Sequence, residues 1–222
     1  SIVNKKKIIP IIPKRKNHEN KSHGKVRETA IISAMNQLTS LEHHFLIAMP
    51  ALENSWFEKT VIYLVEDNEH GSMGLVINLA NKLDIKDLLD HFKLAVPTGA
   101  DFLDQTVLIG GPVDLERGFI LHPSNGNWKS TMQLSDNLSM TVSEDFLEAL
   151  SENQVMDKFI VCLGFAGWEP GQLAQEIQDN SWLTIPYNES LLFETPVENR
   201  WEVALGTLGI SPEFLSCEAG NA

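Results

Sequence analysis

From Leu41 onward, short apolar runs alternate with clusters of turn-forming residues, and the length of each run separates strands from helices. Phe45-Leu46-Ile47-Ala48 is halted by Pro50 and reads as a buried strand. Thr60-Val61-Ile62-Tyr63-Leu64-Val65 has the β-branched and aromatic composition that suits a pleated surface. Asp67-Asn68-Glu69-His70-Gly71 supplies turn residues before a similar run from Met73 to Asn78, so the two runs predict a hairpin. Asp84 stands where it can cap a helix whose Ile85, Leu88, Leu89 and Phe92 recur at i, i+3, i+4 and i+7.

The second half continues in the same way. Residues 106–109 form a third predicted strand that runs into Gly110-Gly111-Pro112, and residues 118–122 a fourth, closed by Pro123 and a Ser-Asn-Gly-Asn turn. Two shorter antiparallel strands are expected over 132–134 and 138–141, and Ser143 is expected to cap a helix through Leu150. Residues 159–163, Phe-Ile-Val-Cys-Leu, are the most uniformly apolar run and belong at the centre of the sheet. That strand is expected to end in a second glycine loop, Gly164-Phe165-Ala166-Gly167-Trp168. Pro170 then opens a helix with Leu173 and Ile177 inward. Residues 182–185 read as a strand, and residues 198–208 as a helix with Trp201, Ala204, Leu205 and Leu208 on one face and Gly209 at its C-cap. Consecutive strands argue for a mixed α+β fold, not a plain doubly wound sheet. The expected architecture is one α/β domain over 35–222 with helices packed on a mixed sheet.

Composition changes this picture at one place. Residues 1–35 hold nine Lys or Arg against Glu19 and Glu28, whereas the remainder holds eight basic and 28 acidic residues. Residues 1–34 therefore read as a flexible basic extension. A nucleic-acid or lipid-binding arm, a targeting peptide and upstream or non-native sequence ahead of Met35 compete there, and the last is preferred. The acidic body disfavours direct nucleic-acid binding. No apolar run approaches the ~20 residues of a membrane span, so a soluble protein without a membrane partner is expected. Cys162 and Cys217 fit no zinc motif or disulfide framework, which makes a reducing cytoplasm the simplest compartment.

Candidate chemistry centres on the two glycine segments. Ligands in open α/β sheets favour the crevice beyond strand C-termini, and glycines let backbone approach a ligand closely. Gly110, Gly111, Pro112, Gly164, Gly167 and Trp168 are the candidate lining, with Arg117 as an anion clamp and His122 as the best-placed base. Simple turns, an Arg117 ion pair, a structural His122 and a packed Trp168 are the competing readings. Phosphate-loop, dinucleotide, Gly-x-Ser-x-Gly and His-Glu-x-x-His patterns are absent, so no catalytic residues, metal or cofactor are assigned.

Taken in order, several segments resemble the AlgH/YqgE proteins of bacteria. They are Phe45-Leu46-Ile47-Ala48-Met49-Pro50, Gly74-Leu75-Val76-Ile77-Asn78, Gly110-Gly111-Pro112-Val113 with Arg117-Gly118-Phe119 and Leu121-His122, and Leu163 to Trp168. Pro170-Gly171-Gln172-Leu173, Trp182-Leu183, Leu192-Phe193, Arg200-Trp201 and Leu208-Gly209-Ile210 complete the series. The resemblance implies a curved, barrel-like mixed sheet flanked by helices and a domain that starts near Met35. It also implies a proposed role in regulating transcription, with no established enzymatic activity. One departure is Asn221, where the family often has His in a terminal Ala-Gly-His-Ala. A regulatory or interaction protein with an unknown protein or small-molecule partner is the leading expectation. A ligand- or nucleotide-binding enzyme built on the glycine loops is the alternative, and a homodimer is left open.

Overall fold

The structure is a computed structural model that describes residues 40–124, 126, 128–155 and 158–215. The expected basic extension, the boundary at Met35, Cys217 and Asn221 lie outside the described residues. Ten strands are formed among them: β1 His44–Ala48, β2 Val61–Asn68, β3 Gly71–Val76, β4 Ala80–Asp84, β5 Thr106–Ile109, β6 Val113–His122, β7 Thr131–Gln133, β8 Ser139–Thr141, β9 Ile160–Trp168 and β10 Trp182–Pro186. The helices are α1 Ile85–His91, α2 Asp145–Ser151, α3 Gln172–Gln178, α4 Glu189–Phe193, α5 Arg200–Thr207 and α6 Pro212–Leu215. Single 3₁₀ turns lie at Pro50–Leu52 and Val197–Asn199.

The strands run in the order β10-β1-β2-β3-β9-β6-β8-β7, with β4 and β5 joined to the side of β9. Every pairing is antiparallel except β5 with β9. The result is the mixed α+β fold expected from the sequence, its sheet curled into a half-barrel. The predicted hairpin is β2–β3, and β9 is central, with β6 along one edge and β3 and β5 along the other.

Both faces of the sheet are covered, which is why its strands read as continuous apolar runs. Phe45 and Ile47 of β1 join Tyr63, Leu75, Leu121, Trp201 and Leu205 in one buried cluster. The alternate residues Leu46 and Ala48 join Ile62, Leu64, Trp168, Leu173 and Trp182 in another. A third cluster forms where α1 and α2 bring Ile85, Leu89, Phe146 and Leu150 onto Ile120 and Val161. Among the described residues, no helix is long and apolar enough to cross a membrane.

The helix ends bear out some expectations and correct others. Asp84 and Asp87 form a reciprocal capping box, with the Asp87 amide donating to Asp84 Oδ1 at 2.8 Å and the Asp84 amide to Asp87 Oδ2 at 3.2 Å. Gly209, at φ +69°, ends α5: its amide donates to Gly206 and that of Ile210 to Leu205. Ser143 does not cap α2; Glu144 holds that place, and the Ser143 hydroxyl donates to the Asp145 carboxylate. Pro170 precedes the N-cap Gly171 instead of entering α3. Leu208 is 42% exposed, because the turn that closes α5 carries it off the buried stripe.

Candidate functional site

The largest correction concerns the second glycine segment. Residues 164–168 are the second half of β9, not a loop, and Gly110-Gly111-Pro112 leads straight into β6. No helix N-terminus therefore follows the first segment. The two segments do meet, by backbone contact. The Gly110 amide donates to Leu163 O at 2.8 Å, and its carbonyl accepts from Val76 at 2.7 Å. A Cβ on Gly110 would lie 2.3 Å from Gly164 O, and one on Gly111 only 1.9 Å from the carbonyl carbon of Phe165. These glycines let one segment of the chain cross another at backbone contact.

The crossing leaves a wide bulge. Val113 faces Phe165 and Gly118 faces Leu163, so Asp114, Leu115, Glu116 and Arg117 all stand opposite Gly164. Gly164 takes φ +74°, which L-residues with side chains rarely adopt. Arg117 is half-buried on this bulge, its guanidinium carbon 5.4 Å from the centroid of the Phe119 ring. Pro112 and Gly167 are exposed, and Gly167 pairs with Met73 in the sheet.

The other sequence candidates lie in packed surroundings. Trp168 is 3% exposed, and its Nε1 donates to Glu176 Oε2 at 2.9 Å, an atom that also accepts from Trp182 Nε1 at 2.8 Å. His122 is 2% exposed. Its Nδ1 faces the carbonyl of Pro123 at 2.8 Å and must donate, which leaves Nε2 to accept from Thr141 Oγ1 at 2.8 Å. Burial pushes its pKa down against the opposing pull of the Pro123 bond. Both ring nitrogens are thus committed to protein partners. Cys162 is fully buried, and burial raises its thiol to about 12. His43 sits at φ +63° ahead of β1, with Nδ1 2.8 Å from the Tyr63 hydroxyl. Among the described residues, no three or more His, Cys, Asp or Glu are grouped to hold a metal ion.

A cleft of about 370 Å³ opens elsewhere, between β5, the start of β9 and the connection from α4 to α5. Asn188 caps α4 by accepting from the Leu191 amide at 3.1 Å. The chain then turns through Thr195 and Pro196 into the Val197–Asn199 turn and α5. Arg200, the first residue of α5, lines the cleft yet is only 5% exposed. Its Nε donates to Thr195 O at 3.0 Å, and its Nη1 donates to Ile77 O just beyond β3. Among the described residues no carboxylate lies within ion-pair distance of it. Burial lowers its pKa to about 10, so the guanidinium stays charged at neutral pH.

Lys158 and Glu194 stand at the mouth, paired at 2.6 Å with each side chain about half exposed. The hydrogen bond between them raises the Lys158 pKa and lowers that of Glu194. Gln105, also in the lining, ties the wall by donating to Phe159 O at 2.6 Å. Arg200 is the other arginine of the acidic body, and it lies away from the glycine segments beside which Arg117 is expected to act. A signal was present: residue 200 falls one helical turn before Ala204 and beside Trp201, which puts a lone cation at the margin of an apolar stripe.

Comparison with known proteins gives a consistent picture. A family model described as AlgH-like matches residues 45–213. A UPF0301 protein of Hydrogenovibrio crunogenus is 63% identical over 187 residues, covering 84% of this chain and all of that one. A UPF0301 protein of Photobacterium profundum is 44% identical over 186 residues, covering 82% of this chain and all of its own. The solution structure of the AlgH protein from Pseudomonas aeruginosa matches with a TM-score of 0.67 at 43% identity, covering 83% of this chain and 97% of that one. A Corynebacterium diphtheriae crystal structure, 22% identical with a TM-score of 0.61, covers 76% of this chain and 87% of that one and shares the fold.

Proposed function

The chain belongs to the AlgH-like family, and from that premise we propose that it is a cytoplasmic regulatory protein that acts by binding, with the Arg200 cleft as its recognition site. The observation that carries this reading is the buried guanidinium of Arg200, bonded to two backbone carbonyls and without an ion-pair partner among the described residues, although Glu198 lies near enough to favour its charged form. Keeping a charge 5% exposed without a contact ion pair is costly, by several kcal/mol per ion in typical proteins, and a ligand that supplies a direct counter-charge offsets it. An enzyme built on the two glycine segments would need space between them, yet their backbones are in contact. His122 and Cys162 offer neither a free lone pair nor an accessible thiolate.

The link to transcription rests on the family resemblance. The acidic body favours an indirect route, through a ligand or a protein partner, over direct contact with nucleic acid. Self-association into a homodimer belongs to the same reading and is open to sedimentation analysis.

The test is thermal melting of the full chain against a panel of charged and neutral metabolites, with each hit mapped by amide chemical shifts. Ligand at ten times its dissociation constant adds about 1.4 kcal/mol of stability. A footprint on Lys158, Thr195 and Arg200 supports the proposal. A footprint on Gly110 and Gly164 would return the site to the glycine crossing, and conversion of a hit to product would make the protein an enzyme.

A further inference from the structure

The geometry points to an oxyanion, a carboxylate or phosphate group on a small molecule, as the occupant of the cleft, held by Arg200 from below and by Lys158 from the mouth. This rests on the reading of the cleft as the recognition site and adds the chemical class of its ligand. Arg200 spends Nε and one Nη1 hydrogen on Thr195 and Ile77. Its Nη2 has no hydrogen-bond partner among the described residues, and it is not among the wholly buried atoms that lack one. Nε and Nη1 donate on different sides of the guanidinium, so Nη2 and the second Nη1 hydrogen are the donors that remain for a carboxylate or phosphate.

The mouth supplies the second cation. Lys158 is exposed enough to turn away from Glu194, and exposed pairs of this kind contribute little to stability. Arg200 and Lys158 against Glu194 leave the lining with one net positive charge, inside a body with 28 acidic and eight basic residues beyond residue 35. Glu194 is then a resident carboxylate that a ligand oxyanion replaces on Lys158. The volume of about 370 Å³ lies at the small end of ligand pockets, so the anion is borne by a metabolite-sized molecule.

The experiment titrates the full ¹⁵N-labelled chain with inorganic phosphate, with acetate, and with acetamide as the neutral match to acetate. Arg Nε–H and backbone amide resonances are followed. Saturable shifts at Arg200, Thr195 and Lys158 with acetate or phosphate, and none with acetamide, are expected; whichever of acetate and phosphate binds more tightly identifies the group. Glu194→Gln, an exposed change, removes the competing carboxylate and should tighten binding about two- to fivefold, the equivalent of one exposed charge interaction. Lys158→Ala should weaken it by a similar factor. Binding equal in wild type and both variants would overturn the inference. Shifts caused by acetamide alone would overturn the anion assignment and leave the recognition cleft standing. No response to any probe, with panel ligands footprinting elsewhere, would remove both.

Discussion

A Cβ on Gly110 would sit 2.3 Å from the carbonyl oxygen of Gly164, and the obstructing atom is backbone held in the central strand. Neither side can yield without breaking the bond from the Gly110 amide to Leu163. Gly110→Ala and Gly111→Ala should each therefore destabilise by at least the ~1–3 kcal/mol typical of overpacked cores. Gly167→Ala is the control. Its added methyl finds its nearest neighbour, a carbon of the Phe165 ring, at an ordinary 3.5 Å, so a change within about 0.5 kcal/mol is expected. Urea denaturation measures all three. Equal losses at Gly110 and Gly167 would refute the crossing as the reason for these glycines.

The same crossing marks the limit of what the sequence could disclose. Elements whose signals are local were legible: the β2–β3 hairpin, the Asp84 N-cap and the Gly209 helix end all form as read. Gly164 and Gly167 looked like a loop because a glycine inside a strand and a glycine in a turn have the same local signature. Gly164 is explained by its φ of +74° and by a segment more than fifty residues earlier: a Cβ there would meet Gly111 O at 2.7 Å and Val113 O at 2.9 Å. β4 escaped notice because Ala80, Lys82 and Leu83 are exposed, which leaves no apolar alternation to read. Within the site, Arg117 was legible as an arginine beside glycines. Arg200 takes its role from the Ile77 carbonyl, 123 residues away in sequence.

Arg200 should also be a stability residue. Arg200→Met keeps most of the volume but leaves the carbonyls of Thr195 and Ile77 without their donor. An unpaired buried acceptor costs about 1–3 kcal/mol, and removal of a buried charge without a contact ion pair offsets part of that. A net loss of about 1–3 kcal/mol in urea denaturation is expected. Arg200→Lys, able to reach one carbonyl, should fall between Met and wild type. A Met variant as stable as wild type would show that the two backbone bonds contribute nothing.

Glu176 fastens the opposite face of the sheet. Its Oε2 accepts from both Trp168 and Trp182, indoles that are 3% and 2% exposed. Glu176→Ala should strand two buried donors and cost about 2–6 kcal/mol, at 1–3 kcal/mol for each. Glu176→Gln retains one acceptor oxygen and should lose less. Tryptophan fluorescence during denaturation reads both, and an Ala variant no worse than Gln would argue against a shared carboxylate acceptor.

Acid should weaken the protein through His122. Burial lowers its folded pKa below the unfolded value near 6.5, so the unfolded chain binds the proton first. The stability contributed by the neutral ring is complete above pH 6.5 and is lost as pH falls toward the folded pKa. His43, lowered for the same first reason, acts in the same direction. The urea midpoint should thus drop between pH 7.5 and 5.5, and the drop should shrink in His122→Gln. An unchanged drop would assign the acid sensitivity to other groups.

Cys162 should behave as a buried hydrophobe and not as a redox thiol. It is 0% exposed near the start of β9, its sulfur is 3.8 Å from the Val76 carbonyl, and its pKa is pushed up to about 12. Both access and thiolate fraction are therefore denied to an attacking reagent at pH 8. In a Cys217→Ser variant, where Cys162 is the sole remaining thiol, a disulfide reagent should label the native protein no faster than it unfolds. Added urea should raise the labelling rate in step with the unfolded population. Rapid labelling of the folded variant would show that β9 opens on its own, and the central strand could then no longer be treated as the fixed wall from which the Arg200 cleft is built.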